Sequence, residues 1–254
     1  MINLFKMDLY RFRRNKVMYL LLLLFCAFQI FGIYMMKQYA QPVEEGGVRI
    51  ENLTEIDFIQ YTISQPPSWM LIYIAVFTIY FYMSEWNSGF HKNYISMRQA
   101  RSHSVLSKIT ILALFVAMMF LILLVADGIG RRLFVGQTDL GDPGTLITLL
   151  AGQFLLHWAF SLLILCIAMV TRNLLISLSA SIVLALNVIG MVLGALEKLL
   201  TDIHLTKYLL INTLVRVKDL GSTADLMHMF GVAVAAILFL SYFAVRYKIK
   251  EDLN

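Results

Sequence analysis

The chain alternates between long apolar runs and shorter polar segments. A helix rises about 1.5 Å per residue, so a run of about 20 apolar residues can cross the ~30 Å hydrocarbon core of a bilayer. Six runs predict transmembrane helices, over residues 17–36, 68–83, 109–126, 146–170, 174–196 and 226–244. The second run is short for a crossing, so we expect its ends to lie a few residues further out.

The amino-acid composition favours the same fold class. Of the 254 residues, 59% are hydrophobic and 15% are charged, whereas soluble domains carry more charge and fewer apolar residues. We therefore expect an all-α integral membrane protein. The formal net charge of +5 could indicate a nucleic-acid partner. Lys and Arg that fix the orientation of the spans explain it more simply, so no nucleic acid is expected.

The distribution of positive charge predicts the orientation of the spans. Six spans place both chain termini on one side of the membrane. Lys and Arg are more numerous on that side and lie close to span ends, where they bias orientation. Both termini are therefore predicted to be cytoplasmic. Segment 84–108 is then a cytoplasmic loop, and segment 197–225 is predicted to be an external helical segment that lies on the membrane or dips into it.

The first 16 residues are too charged to cross a bilayer but carry an apolar stripe at helical spacing. The stripe consists of Ile2, Phe5, Leu9 and Phe12. Off the stripe lie the basic residues Lys6, Arg13 and Arg14. This pattern predicts an amphipathic helix at the membrane interface. The alternative is that residues 1–16 are only a positive flank for the first span.

Motifs for catalysis are weak. The chain has no G-x-x-x-x-G-K-[ST], G-x-S-x-G or H-E-x-x-H motif, so we expect neither a nucleotide-binding loop nor an enzyme of those classes. Residues 44–49, EEGGVR, fit the EExxxR pattern of the CAAX-type intramembrane proteases. Two glycines interrupt that string and it lies in a predicted external loop, so protease activity is not expected. Cys26 and Cys166 fall inside apolar runs and predict buried thiols, not a disulfide.

Polar side chains recur at helical spacing inside two of the predicted spans. One face of the fourth span carries Gln153, His157 and Ser161. The fifth span carries Ser177, Ser181 and Asn187, with Gly190 and Gly194 at GxxxG spacing. Polar groups are costly in lipid, so we expect these faces to meet protein or water. Helix–helix hydrogen bonding is favoured for the fourth span, and a substrate path is the alternative. The glycines predict close helix packing, within one chain or between two.

The order of these parts resembles the ABC-2 type permease family. Members of that family follow the second span with a Glu, a Gly, a basic residue, a Ser-Arg or similar pair, and a Lys at the start of the third span. The matching positions here are Glu85, Ser88-Gly89, Lys92, Ala100-Arg101 and Lys108. Ala100 stands where the family has serine. In size and layout the chain is similar to permease subunits for lantibiotic or bacitracin self-protection.

The resemblance implies a fold and a set of partners. The fold is an ABC-2 (type V exporter-like) permease architecture in a bacterial plasma membrane. The chain would have no ATPase and no cofactor of its own. Two copies of a separate ABC ATPase subunit would bind ATP and Mg. A second permease chain, identical or homologous, would complete the pathway between them, with span two, span five and segment 197–225 facing it.

The resemblance also implies a docking surface for the ATPase. Residues 2–14 would be a connecting helix and Tyr94–Leu106 a coupling helix. The implied docking residues are Phe5, Leu9, Phe12, Glu85, Gly89, Lys92, Tyr94, Arg98 and Arg101. The predicted function is export or expulsion of an amphipathic substrate such as an antimicrobial peptide. The alternative is a sensor or assembly factor that uses the basic loop to bind another partner without transport.

Overall fold

The computed structural model describes residues 2–39, 53–64, 68–90, 98–136, 141–200, 206–216 and 222–250. Ten α-helices are described there, with one short 3₁₀ turn at Thr206–Tyr208. The helices are α1 Ile2–Arg13, α2 Lys16–Gln38, α3 Glu55–Ser64, α4 Trp69–Asn87, α5 Arg98–Phe134, α6 Pro143–Thr171, α7 Leu174–Ala185, α8 Val188–Leu200, α9 Leu210–Arg216 and α10 Thr223–Lys250. No described residue lies in a β-strand. The predicted all-α fold is confirmed.

Long apolar helices dominate the molecule. Within the described residues, five helices are long and apolar enough to cross a membrane: α2, α4, α5, α6 and α10. Helices α7 and α8 meet at an angle of 50° across a short break. Together they pass the same test of length and composition, so they can form one further span, which is the fifth in chain order and brings the number to six. The single run predicted over 174–196 is therefore a bent pair of helices.

Helices α5 and α6 form the centre of the bundle. Helix α5 packs against α1, α2, α4, α6 and α10, and α6 packs against α4, α7, α9 and α10. Stacked aromatic rings fill the space between α4 and α5, with the centroids of Phe77 and Phe115 3.8 Å apart. Phe12 of α1 meets Phe77 edge-on at 5.8 Å. Helix α1 thus packs against the core of the bundle through Phe12.

Helix α5 extends well beyond the span predicted over residues 109–126. Its 37 residues reach roughly 55 Å, which exceeds the thickness of a hydrocarbon core. At one end Ser104, Ser107 and Lys108 are buried, and at the other Asp127 and Arg131 are buried. The polar turns continue the helix because protein, and not lipid, surrounds them. Hydropathy marks only the part of a helix that contacts lipid, so the predicted span is shorter than the helix.

Polar caps fix the boundaries between consecutive helices. The side chain of Asn15 accepts hydrogen bonds from Val17 N and Met18 N at the start of α2. Asn173 caps α7 in the same way, after Arg172 ends α6 in a left-handed conformation. At the start of α6, hydrogen bonds from Thr145 hold the pKa of the Asp142 carboxyl below its usual range. These short connections keep successive helices in contact.

Helix α1 and the end of α10 lie at the same end of the bundle, which we call the terminal end. There the Arg101 guanidinium donates to the carbonyl oxygen of Ile249 at 3.2 Å, and α1 contacts the last turn of α4. The opposite end, which we call the distal end, holds α3, α8 and α9. At the distal end α9 packs against α3, α6 and α10. Different helices therefore meet at the terminal end and at the distal end.

Candidate functional site

Two acidic and two basic side chains meet inside the terminal end, and we call them the terminal charge cluster: Asp8, Arg11, Glu85 and Lys108. The Arg11 guanidinium pairs with the Glu85 carboxylate and lies 3.1 Å from Asp8 Oδ1. Lys108 Nζ lies 3.0 Å from Glu85 Oε2 and 3.8 Å from Asp8 Oδ2. Asp8, Glu85 and Lys108 are almost fully buried. The cluster joins α1, α4 and α5 through two acids and two bases.

The terminal charge cluster makes α1 part of the α4–α5 unit. Its formal charges cancel, so the group can be buried together, whereas any single member left alone would be a buried, unpaired charge. Arg11 adds a hydrogen bond to Ser84 Oγ at 3.1 Å and lies 4.9 Å from the centroid of the Phe81 ring. We therefore expect α1 and the end of α4 to move together.

Trp86 connects this unit to the other side of the terminal end. The Arg172 guanidinium lies 4.5 Å from the Trp86 ring centroid, and Lys248 Nζ lies 5.2 Å from it. Both distances are within the range of cation–π attraction. Arg172 belongs to the turn between α6 and α7, and Lys248 to α10. The last turn of α4 thus contacts both the turn between α6 and α7 and the end of α10.

The predicted docking residues differ in how far their side chains are buried. Leu9 is 37% exposed, and Phe5 packs partly buried against the core. Gly89 lies in the turn after α4 with a φ of +69°, a conformation that favours glycine. Phe12 and Glu85, by contrast, are buried. These two side chains therefore pack inside the single chain and do not form part of its exposed surface.

The remaining docking residues lie in or next to the connection between α4 and α5. Arg101 is half-buried and bonds to the end of α10. Lys92 and Tyr94 lie outside the described residues. Residue 98 begins α5, so the described part of the predicted coupling helix, residues 98–106, is continuous with the third span.

The polar stripe of the fourth span lies in the protein interior. Gln153, His157 and Ser161 of α6 are all buried. The Gln153 amide donates to the carbonyl oxygen of Leu214 in α9 at 3.2 Å. Ser161 Oγ donates to the carbonyl oxygen of Trp158 at 2.7 Å. These contacts include one bond between helices and one within a helix.

His157 and Gln153 each keep an acceptor atom without a partner in the described part of the chain. His157 Nδ1 lies 2.7 Å from the carbonyl oxygen of Gln153. A carbonyl can only accept, so Nδ1 carries the hydrogen and Nε2 has a lone pair. His157 Nε2 and Gln153 Oε1 are both buried with no hydrogen-bond partner. If α6 turned toward a pathway, these two acceptors would be available to hydrogen-bond donors.

The fifth span bends at Asn187, which has a φ of +56°. Its side-chain amide donates to Asn212 Oδ1 of α9 at 2.6 Å, and Asn212 in turn donates to the carbonyl oxygen of Thr206 at 2.9 Å. Asn tolerates this left-handed conformation better than most residues. Ser177 and Ser181 are buried and bond locally, to residues 171 and 173 and to residue 178. The bend and the distal segment are thus held together.

The two glycines of the GxxxG pair differ in their surroundings. A Cβ added at Gly190 would overlap the side chain of Asn187 and lie 2.6 Å from Asn212 Oδ1. A Cβ at Gly194 would meet nothing nearer than Thr206 Cγ2 at 4.0 Å. Gly190 therefore allows close packing within the chain. Gly194 is the glycine of the pair that remains available for contact with another chain.

The distal end holds a buried polar network that sequence reasoning missed. Gln29 of α2 donates to Asp127 Oδ1 of α5 at 3.0 Å, and Asp127 is fully buried. One turn later Arg131 donates to Glu55 Oε2 of α3 at 2.8 Å. Asp127 directly follows the apolar run predicted over 109–126, where a solvated span end is the simplest interpretation, and its burial shows that this interpretation is wrong. The spacing of Asp127 and Arg131 on one helix face is a signal that could have indicated buried partners.

The remaining sequence candidates carry no site in the described residues. Residues 44–49, which fit the protease pattern, lie outside those residues. Cys26 and Cys166 are free thiols, and Cys166 is buried as predicted, whereas Cys26 is only half-buried. No group of three or more His, Cys, Asp or Glu side chains that could hold a metal ion occurs in the part of the chain that the structure describes.

Comparison with known families identifies the chain. The profile of the ABC-2 family transporter protein matches residues 4–188, which run from α1 to the bend of the fifth span. The chain therefore belongs to the ABC-2 transporter family. No curated protein matches it. Family membership makes it a multi-pass membrane component of a transport system, not itself the catalytic part, that works with an ABC ATPase subunit.

Proposed function

We propose that this chain is the permease subunit of a bacterial plasma-membrane ABC transporter that exports or expels an amphipathic substrate such as an antimicrobial peptide. Two ATPase subunits dock beneath two permease chains, identical or homologous. The observation that carries the proposal is the terminal charge cluster, which joins the interfacial helix to the helices on both sides of the basic 84–108 segment. Such a joint suits the transmission of movement from a partner.

The mechanism uses the rigidity of that joint. ATP binding draws the two ATPase subunits together, and they carry α1 and segment 84–108 with them. Because the terminal charge cluster is buried and neutral as a group, pulling one member away leaves an unpaired charge in the interior. α1, α4 and α5 therefore shift as one body, and Trp86 passes the movement to α7 and α10. ATP drives the change by binding one arrangement more tightly than the other.

We place the contact surface around this joint, on the turn after α4, the basic segment and the adjoining side of α1. We assign direct contact to Leu9, the Gly89 turn, Lys92, Tyr94, Arg98 and Arg101. Phe5, Phe12 and Glu85 hold the surface in place from inside. Burial of Phe12 and Glu85 supports this division.

The substrate pathway is assigned to the face of the bent fifth span. Leu175, Met191 and Leu199 expose 72%, 60% and 77% of their surface, and a Cβ added at Gly194 would meet only Thr206 Cγ2, at 4.0 Å. A second permease chain facing α7 and α8 would enclose an apolar pathway lined at its bend by Asn187. Gln153, His157 and Ser161 would add polar groups behind it. The resemblance to immunity permeases supports an amphipathic peptide as the substrate.

Charge reversal tests the docking surface and the function together. The double variant Arg98→Glu with Arg101→Glu is expected to lose the co-purifying ATPase and to lose protection of cells against the peptide. The matched control is Arg132→Glu with Lys207→Glu, which reverses two charges at the distal end. It should keep the ATPase. If both double variants retain the ATPase and full protection, the assignment of the docking surface is wrong.

A further inference from the structure

A basic cleft opens at the terminal end between α1, the start of α2 and α4. Its volume is about 360 Å³. The polar part of its lining comprises Arg11, Arg14, Asn15, Lys16, Tyr80 and Ser84. The cleft lies on the outside of the joint that holds α1, where the chain passes from the interfacial helix into the first span.

Two of the cations in the cleft are uncompensated. Arg11 is neutralised inside the terminal charge cluster. Arg14 and Lys16 are exposed, and among the described residues no carboxylate pairs with either. The Arg14 guanidinium lies 4.7 Å from the Tyr10 ring centroid, which orients it without removing its charge. Asn15 already occupies the first amide groups of α2, so the side chains supply the positive potential.

The exposed side chains near the cleft are of the types found at a membrane–water interface. Tyr10, Tyr19 and Tyr80 are 54%, 50% and 37% exposed around it, and exposed tyrosines mark the membrane–water interface. The Tyr19 hydroxyl donates to the carbonyl oxygen of Arg13 at 3.0 Å, on the polar side. On the other side, α2 continues with the exposed apolar side chains Leu20, Leu23 and Leu24. A cationic recess therefore lies directly beside a lipid-facing surface.

We infer that this cleft binds the phosphate group of an anionic phospholipid. Arg14 and Lys16 contact the headgroup, Tyr80 borders the recess, and the acyl chains lie along the apolar face of α2. An anion with an apolar tail satisfies both parts of the site, whereas a free phosphate satisfies only the cations. Because the cleft adjoins the terminal charge cluster, the bound lipid fixes the depth of α1 in the interface. The site is distinct from the ATPase docking surface.

Native mass spectrometry of the purified chain tests the inference. Phosphatidylglycerol is added as the probe, with phosphatidylcholine as the uncharged comparison. Arg14→Gln with Lys16→Gln is expected to lower the retained phosphatidylglycerol about tenfold, since each cation near an anionic lipid surface contributes to binding. Lys6→Gln with Arg13→Gln removes the same charge from exposed positions outside the cleft and should retain the lipid. Arg14→Lys with Lys16→Arg keeps the charge and should also retain it.

Three results would overturn the lipid site. In the first, the cleft variant and the Lys6/Arg13 control lose phosphatidylglycerol equally, which means that diffuse surface charge attracts the lipid. In the second, inorganic phosphate alone displaces phosphatidylglycerol at equal concentration, so the site takes a free anion. In the third, phosphatidylcholine is retained as well as phosphatidylglycerol. Unchanged melting temperatures of all variants in neutral detergent would show that a loss of lipid does not come from misfolding.

Discussion

Glu85 is the residue that connects the helices of the terminal end. It pairs with Arg11 of α1 and with Lys108 of α5, and all three side chains lie at one junction. Sequence reasoning singled out Glu85 through a family pattern and placed it in a polar loop. A lone acid after an apolar run has the same appearance whether it faces water or a buried cation. The partner Arg11 lies 74 positions away, so local spacing could not reveal the pair.

Replacement of Glu85 by Gln should destabilise the protein strongly. Arg11 and Lys108 would then share only Asp8, and an unpaired buried cation costs about 3 kcal/mol. The melting temperature in detergent should fall by roughly 6–12 °C, at about 2–4 °C per kcal/mol for a chain of this size. Asp225→Asn, which removes an exposed carboxylate from α10, should leave it unchanged.

Removal of the opposing cation checks the physical reason. In Glu85→Gln with Lys108→Met, the remaining Asp8 and Arg11 balance each other, so much of the lost melting temperature should return. A double variant that melts no higher than Glu85→Gln alone would contradict the view that buried charge imbalance causes the loss.

The bent fifth span is the element that the sequence described least well. Apolar residues run through 174–196 without proline, which predicted one continuous span. The break arises at Asn187, where a left-handed conformation is secured by a hydrogen bond to Asn212. Neither a conformation nor a bond to a later segment can be read from hydropathy. The GxxxG spacing predicted close packing at both glycines, and the structure shows it at Gly190 only.

Substitution of each glycine by alanine separates their roles. Gly190→Ala places a methyl group against Asn187 and Asn212, and overpacking of this kind costs about 1–3 kcal/mol. Gly194→Ala has open space and gains helix propensity, so its melting temperature should stay the same or rise. Thermal unfolding of both variants in detergent makes the comparison. Equal destabilisation by the two substitutions would contradict the assigned geometry.

The same pair reports on contact between chains. Because Gly194 has open space in the single chain, we expect Gly194→Ala to reduce the fraction of permease dimer seen by crosslinking in membranes, while the single chain stays stable. An unchanged dimer fraction would move the second chain away from α7 and α8.

At the scale of the whole molecule, the sequence predicted the features that depend on contact with lipid. It missed those that depend on contacts between distant parts of the chain. The apolar runs, the interfacial helix and the family resemblance all follow from local composition and order. The 37-residue length of α5, the buried Asp127 and the joint at Glu85 depend on side chains from distant segments. Polar residues that complete each other inside the bundle look like loop residues when each is viewed alone. Those distant pairings hold the candidate site together.

We expect the two ends of the molecule to have different functions. The terminal end carries the terminal charge cluster, and we assign to it the docking surface and the lipid cleft. The distal end carries the Arg131–Glu55 pair and the Asn187–Asn212 tie, which hold α3, α8 and α9 against the spans. Movement that enters at the terminal end would reach the pathway through α4 and α7, which pack against each other. Such a movement requires a partner protein that supplies the force.

The most direct test of that requirement is co-purification of the tagged, full-length chain from its native membrane in mild detergent, with quantification of every protein that accompanies it. The account predicts an ATPase subunit with a nucleotide-binding P-loop at a near-equal amount, together with any second permease chain. If no such ATPase accompanies the chain in several detergents, the proposal of a transporter subunit is contradicted, and segment 84–108 must bind a different kind of partner.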